Sequence, residues 1–222
     1  MASKPLPADP TLDEIRLALA PAIGRNAAFD GWSKAAVEMA AQDIGVDADI
    51  AALAIKGGAM EMIDAWIDAI DIELAERLPA DKLGKMKIRE RITELLWTRL
   101  EIMAPDREAL RRAMAIMAMP QNLPHASRIG WRSADRMWRL AGDTASDFNH
   151  YTKRMTLSAV YGSVLLTFVN DESDVFADTR AFLERRIDNV MQFEKAKFQA
   201  RARRENLPSL SRFLGRLRYP PR

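Results

Sequence analysis

Met137-Trp138-Arg139-Leu140-Ala141-Gly142-Asp143, continued after three residues by Asp147-Phe148-Asn149-His150-Tyr151-Thr152-Lys153-Arg154, is the stretch from which the fold reads outward. It ends one helix, turns at Gly142 and starts another. Thr144 and Ser146 are candidate N-caps, and Asp147 sets a negative charge near the new N-terminus, where the helix dipole favours it. A turn this short makes the two helices neighbours and gathers Met137, Trp138, Leu140, His150 and Tyr151. Aromatic and methionine side chains mixed with Asp and Arg suit a protein-binding patch. The plainer alternative is a helix corner with the same side chains in the core.

Helical spacing continues on both sides. Upstream, a helix is expected from about Ser127 to Leu140, preceded by a rigid loop at Pro120-Gln121-Asn122-Leu123-Pro124. Downstream, a helix over about 148–170 contains Leu157 to Leu166, apolar nearly all round as a buried helix should be. Asp174 or Asp178 opens a further long helix through Phe182, Leu183, Ile187, Val190, Met191 and Phe198. Leu83, Met86, Ile92, Leu95, Leu96, Leu100 and Met103 recur at three- and four-residue spacing, and Asp106 is expected to cap the next helix, lined by Ala109, Leu110, Ala113, Met114, Ile116 and Met117. No strand pattern and no internal repeat occurs, so the fold class is all-α.

Near the start, Thr11 with Glu14 forms a capping-box pattern after a lead (1–10) expected to be disordered. Ser33 and Asp47 cap two short helices across the Ile44-Gly45-Val46 turn, and a long helix follows over about 59–78. This order resembles the helix-turn-helix head of TetR-type regulators. The charge argues against DNA. Residues 30–58 hold two Lys against five Asp and Glu. The would-be recognition helix, Asp47-Ala48-Asp49-Ile50-Ala51-Ala52-Leu53-Ala54, offers no cation to phosphate and no amide or guanidinium to a base edge.

The net charge of +2 hides a gradient. Residues 1–80 carry six basic and fourteen acidic side chains, a net −8, whereas residues 195–222 carry nine and one, a net +8. After Leu207-Pro208, Leu210, Phe213, Leu214 and Leu217 fall on one face of a short helix with Arg212, Arg216 and Arg218 off it. The pattern over 206–219 suits an interfacial membrane helix that meets anionic lipid. No apolar run approaches the ~18 residues of a spanning helix. The N-terminus has neither an apolar core nor an Arg-rich segment, so a bacterial-type cytoplasmic protein, peripheral to the inner membrane, is expected.

The 222 residues contain no cysteine, which excludes disulfides, thiolate metal sites and cysteine nucleophiles. His125 and His150 are the two histidines. No Glu has a His three residues later, as carboxylate di-iron bundles require, and no phosphate-binding or nucleophile-elbow motif occurs. His150 beside Asp147 and Tyr151 has the chemistry of a general base, but a surface or partner-contact role fits its setting better. A non-catalytic protein with no metal and no cofactor is the expectation.

Met119-Pro120-Gln121-Asn122-Leu123-Pro124, Met137-Trp138, Ala141-Gly142-Asp143, Asp147-Phe148-Asn149, Tyr151-Thr152 and Arg154 together resemble the accessory-protein family of ubiquinone (coenzyme Q) biosynthesis. Phe182-Leu183-Glu184, Arg186 and Asp188-Asn189 continue the likeness. It is strongest over about 110–195. The resemblance implies a TetR-like bundle without DNA binding, divided into a head (11–57) and a lipid-binding, dimerising body (58–200). It implies a homodimer, a bound isoprenoid lipid or phospholipid held among helices, with Leu157, Val160, Tyr161, Val164 and Leu165 as its expected contacts, and a membrane helix carrying Leu210, Arg212, Phe213, Leu214, Arg216 and Leu217. It also implies a partner, the di-iron demethoxyubiquinone hydroxylase, met by Met137, Trp138, Leu140, Asp147, His150, Tyr151 and Arg154. Eukaryotic members of the family carry Trp where this chain has His150, a smaller anchor. A TetR-type regulator that senses lipid is the alternative with the same fold.

Overall fold

The structure is a computed structural model that describes the backbone of residues 6–144 and 148–205 and the side chains of 6–144 and 150–193. Among the described residues every regular element is a helix. They form α1 (Leu12–Asp30), α2 (Lys34–Ile44), α3 (Ala48–Ala54), α4 (Gly58–Arg77), α5 (Ala80–Gly84), α6 (Ile88–Met103), α7 (Arg107–Met117), α8 (Leu123–Leu140), α9 (Phe148–Phe168) and α10 (Ala177–Glu205), with 3-10 turns before α7, α8 and α10. The contacts divide the chain between Leu183 and Glu184. The first unit holds α1 to α9 and the start of α10, and the second contains the outer part of α10.

Local chemistry explains the starts. Thr11 Oγ1 accepts from Glu14 N, and Glu14 Oε2 accepts from Thr11 N at 2.8 Å, the reciprocal pair expected. Ser33 and Asp47 cap α2 and α3 through their side chains. Three expectations are corrected. The apolar run from Leu83 to Met103 is two helices, because Lys87 is extended and its N–H donates to Glu90 Oε2 at 2.9 Å, starting α6 afresh. Asp106 precedes α7 without a side-chain cap, and burial instead raises its carboxyl pKa. The Pro120–Pro124 segment is a 3-10 turn followed directly by the first turn of α8, where a proline lacks only an N–H that would be unpaired anyway.

The start of α10 shows what the sequence hid. Neither Asp174 nor Asp178 does the capping. Asp171 Oδ2 accepts from Thr179 N at 2.8 Å and from Thr179 Oγ1, while Ser173 N and Oγ donate to Oδ1. Burial pushes this carboxyl up, but the hydrogen bonds from Ser173 and Thr179 outweigh it and lower its pKa from 3.8 to about 2. A depressed folded-state pKa stabilises above the ordinary value and is lost as the pH falls toward about 2. Asp171→Asn is therefore expected to cost about 1–2 kcal/mol at neutral pH. It should also flatten the acid limb of stability between about pH 5 and pH 2 in urea titrations at stepped pH. A variant with the wild-type acid limb would contradict this role.

The head packs α1 against α2 and α3, and α4 runs from it into the body against α1, α6, α7 and α8. Trp32 and Trp66 meet at the junction with ring centroids 5.4 Å apart, and Trp32 Nε1 donates to Ala109 O of α7 at 3.0 Å. Gly24 in α1 makes this possible, since a Cβ there would lie 2.4 Å from Trp66 Nε1 and 2.6 Å from Cδ1. Trp66 is fully buried, so its indole has nowhere to move. Gly24→Ala is expected to destabilise by about 1–3 kcal/mol by overpacking, despite alanine's better helix propensity. A chemical-denaturation midpoint at or above wild type would refute the close approach.

The body closes with α8 and α9 as neighbours across the Gly142 corner and α6 against α9. The expectation that Leu157 to Leu166 is a buried stretch, apolar nearly all round, is corrected at Leu166. Tyr151, Met155 and Leu166 are 58%, 64% and 60% exposed, so α9 has an outward apolar stripe opposite its buried face.

Candidate functional site

Two places in the body carry concentrated chemistry: the α8–α9 corner and a cavity lined by α4 and α6 to α9. At the corner, Gly142 has φ +86°, and a Cβ there would stand 3.2 Å from Arg91 Nη1. Arg91 donates to Ala141 O at 2.8 Å, Met86 O at 2.9 Å and Gly84 O at 3.2 Å, tying the turn to the start of α6. Trp138 Nε1 donates to Lys153 O at 3.0 Å, and Lys153 Nζ lies 5.3 Å from the centre of the Trp138 ring. Arg154 bridges Asp135 at 2.5 Å and Asp143 at 3.2 Å, and Lys153 reaches Asp143 at 2.5 Å. Burial pushes the Asp135 and Asp143 carboxyls up, but hydrogen bonds and charge from Arg154, with Arg139 and Lys153 respectively, hold both below the usual range.

These contacts sort the expected partner residues. Met137 is fully buried and Arg154 is 1% exposed. Both are corrections, because in this fold they build the corner and do not face outward. Trp138, Leu140 and His150 are half-buried, and Tyr151 is exposed. Asp147 and Ser146 lie outside the described residues, as does the segment that joins Thr144 to α9. Trp131, missing from the sequence reading, completes the patch. Its ring lies 6.0 Å from Tyr151 and 6.4 Å from His150, which meet each other edge-on at 5.2 Å. The spacing of Trp131, Asp135 and Trp138 on one helix face was the available signal.

The cavity, about 290 Å³, lies among α4, α6, α7, α8 and α9. Its walls include Ile67, Leu110, Met114, Met117, Ile129 and Leu165. Of the five residues expected to touch lipid, Tyr161 and Leu165 line it. Leu157, Val160 and Val164 do not, a correction. They are buried in the core on the adjoining face of α9, about one 100° helical step away. Its inner end is polar. Arg99, 1% exposed, donates from Nε to Tyr161 Oη at 2.7 Å and from Nη2 to Ser133 Oγ at 3.0 Å, and its Nη1 pairs with Asp71. Ser133 Oγ lies 3.3 Å from Asp71 Oδ2.

Asp71 is the last of four acids on one side of α4, with Glu61, Asp64 and Asp68 at helical spacing. Arg16 of α1 reaches Glu61 at 2.8 Å and Asp68 at 3.0 Å. From α8, Arg132 pairs with Asp64 and Asp68, Arg136 pairs with Asp68 at 2.7 Å and Asp71 at 2.9 Å, and His125 lies 3.6 Å from Asp64. Burial pushes Asp64 up, but Arg132, Arg16 and His125 hold it below the usual range. The lattice fixes the relative position of α4 and α8, and with them two walls of the cavity.

Residues 123–194, covering α8, the corner, α9 and the start of α10, match the COQ9 family model. The chain is 31% identical over 184 residues to the human protein named ubiquinone biosynthesis protein COQ9, mitochondrial, a stretch that is 80% of this chain and 58% of that one. The chain is similar to the COQ9 proteins of ubiquinone biosynthesis. The rat COQ9 protein is 30% identical over 80% of this chain and 59% of its own, and the Drosophila melanogaster COQ9 protein 26% over 82% and 57%. The chain thus spans under three-fifths of the length of these COQ9 relatives, whose names place them in mitochondria. The fold has a second likeness. The crystal structure of a TetR transcriptional regulator from Nitrosomonas europaea superposes with a TM-score of 0.62 at 22% identity, over 78% of this chain and 96% of that one. Among its described residues the chain is therefore all-α, and its fold is TetR-like, as its sequence led one to expect. Among the described residues no helix is long and apolar enough to cross a membrane.

Proposed function

We propose that this chain, like the COQ9 proteins it resembles, is a protein of ubiquinone biosynthesis, and that it is a non-catalytic accessory protein that holds an isoprenoid quinone precursor and presents it to the di-iron demethoxyubiquinone hydroxylase. The observation that carries the reading is the cavity of the α4–α9 body, apolar along its walls and polar where Arg99 and Ser133 are buried, with its α8 and α9 walls drawn from the segment that matches the family. Small-molecule sites have this make-up: hydrophobic lining with a few placed polar groups. The Trp131–His150–Tyr151 patch, formed between α8 and the start of α9, supports a docking role, and the exposed Met155 and Leu166 stripe of α9 supports a homodimer. Against a regulator that binds DNA stands α3, which turns Asp49, Ile50 and Leu53 outward and has no cationic side chain. Loss of the gene should lower ubiquinone and accumulate a late precursor, read by lipid chromatography. Normal quinone levels in the deletion strain would refute the reading.

The proposed membrane helix at 206–219 lies outside the described residues. Four large apolar side chains are worth ~1.5–3 kcal/mol each if fully buried, against about 1 kcal/mol or more for ordering each residue, so the basic residues must contribute at an anionic surface. Truncation after Asn206 is expected to leave a folded protein that no longer sediments with anionic vesicles, while the full chain binds them less at high salt. Undiminished sedimentation of the truncated chain would place the membrane contact elsewhere. The expected setting is the cytoplasmic face of a bacterial inner membrane.

A further inference from the structure

The polar end of the cavity has an unequal supply of donors and acceptors. Ser133 Oγ is spent, taking a hydrogen bond from Arg99 and facing Asp71. Tyr161 Oη accepts from Arg99 Nε at 2.7 Å, and the remaining contact of its O–H is Met103 Sδ at 3.8 Å, a thioether and a weak acceptor. Arg99 has five N–H groups, of which Tyr161, Asp71 and Ser133 take three. What these groups can still offer a guest is therefore donors: the Tyr161 hydroxyl proton and Arg99 N–H.

Charge narrows the guest further. The surrounding lattice sets Glu61, Asp64, Asp68 and Asp71 against Arg16, Arg99, Arg132 and Arg136, so its cations and anions balance. A buried anion would find no unmatched cation here and would carry its full desolvation cost. A neutral acceptor carries no such cost. The walls suit a flat ring, because Met103, Met114 and Met117 line the space and thioethers pack well against aromatic edges and faces. About 290 Å³ lies at the small end of ligand sites of ~300–1,000 Å³, enough for a ring and the beginning of a tail.

We infer that the inner end of the cavity is a ring-carbonyl subsite, in which Tyr161 O–H, backed by Arg99 N–H, donates to one neutral carbonyl oxygen of a quinonoid ring bound head first. The tail leaves along the methionine wall. The subsite rests on the lipid-cavity reading and adds to it the part of the ligand that is recognised and its orientation. Tyr161 is the group that reads the oxygen, and Arg99 positions Tyr161.

The full-length protein is titrated with a ubiquinone bearing one isoprene unit, with an acyclic terpene hydrocarbon, and with a fatty-acid methyl ester of similar length. Binding is read by calorimetry, and the quinone carbonyl by its infrared stretch. The quinone should bind most tightly, with its carbonyl stretch lowered on binding. Tyr161→Phe should weaken the quinone about tenfold, leave the hydrocarbon unchanged and return the stretch to its free value. Met103→Leu, which removes the competing sulfur and leaves the Tyr161–Arg99 pair intact, should bind the quinone about two- to threefold more tightly. Quinone affinity untouched in both variants, or a stretch unmoved in the wild type, would overturn the inference while hydrocarbon binding upheld the cavity. An ester that binds as well as the quinone would overturn the ring assignment. If no probe binds, the cavity reading falls and the inference falls with it.

Discussion

Arg99→Leu is expected to lower stability by about 3–5 kcal/mol. The reason is asymmetry. Arg99 and Asp71 are each about 1% exposed at the side chain, so both ions have given up hydration that only their partners replace. Removing the cation leaves Asp71 with Arg136 at 2.9 Å and Ser133, and leaves Tyr161 Oη without the N–H it accepts. The leucine fills space but satisfies none of these groups. Urea unfolding should show the loss in the midpoint with an unchanged slope. The double variant Arg99→Met with Asp71→Leu should recover a large part of it, because an apolar pair of similar volume leaves no charge stranded. A loss below about 1 kcal/mol in the single variant would mean that Arg136 alone neutralises Asp71.

The second large effect is on binding. Tyr151→Lys should leave the unfolding midpoint within about 0.5 kcal/mol of wild type, because the ring is more than half exposed and Met137 and Arg154, not Tyr151, build the corner. It should nevertheless weaken binding to the proposed hydroxylase partner by about 2 kcal/mol or more, roughly thirtyfold, since it would remove an aromatic anchor and put an ammonium into a surface that docking would desolvate. Trp131 and His150, in ring contact with Tyr151, would lose part of their support at once. Calorimetry with the purified hydroxylase gives the number. A sharp fall in melting temperature, or unaltered binding, would return the patch to a purely structural role.

Much of this was readable before the fold was known, and the misses share a cause. Caps, turns and helix faces are local, so Thr11 with Glu14, Ser33, Asp47 and the Gly142 turn announced themselves within a few residues. Side-chain partnership over long separations does not. Asp71 and Arg99 are 28 residues apart, and Asp68 and Arg136 are 68; each reads alone as a solvated charge on a helix. The acids of α4 and the arginines of α8 do stand at helical spacing, but nothing in either pattern says that they face each other. Met137 and Arg154 were misplaced for the same reason. A methionine and an arginine beside a turn look available to a partner until Asp135 and Asp143 are seen to enclose the guanidinium. On α9, Leu157, Val160 and Val164 were indistinguishable by hydrophobicity from Leu165, and only the packing of α6, α7 and α8 decides which face meets the cavity. Asp171 escaped notice because it caps α10 from eight residues before Thr179, across a turn in which Val175 and Phe176 adopt positive φ.

The central claim is that the body carries an isoprenoid lipid. Its most direct test is native mass spectrometry of the full-length protein purified from its own host without detergent exchange, with identification of whatever is released. The account predicts a stoichiometric prenylated quinone or quinone precursor, reduced in Tyr161→Phe. Protein that emerges free of lipid, and that also fails to take up a short-tailed quinone when it is supplied, would contradict it.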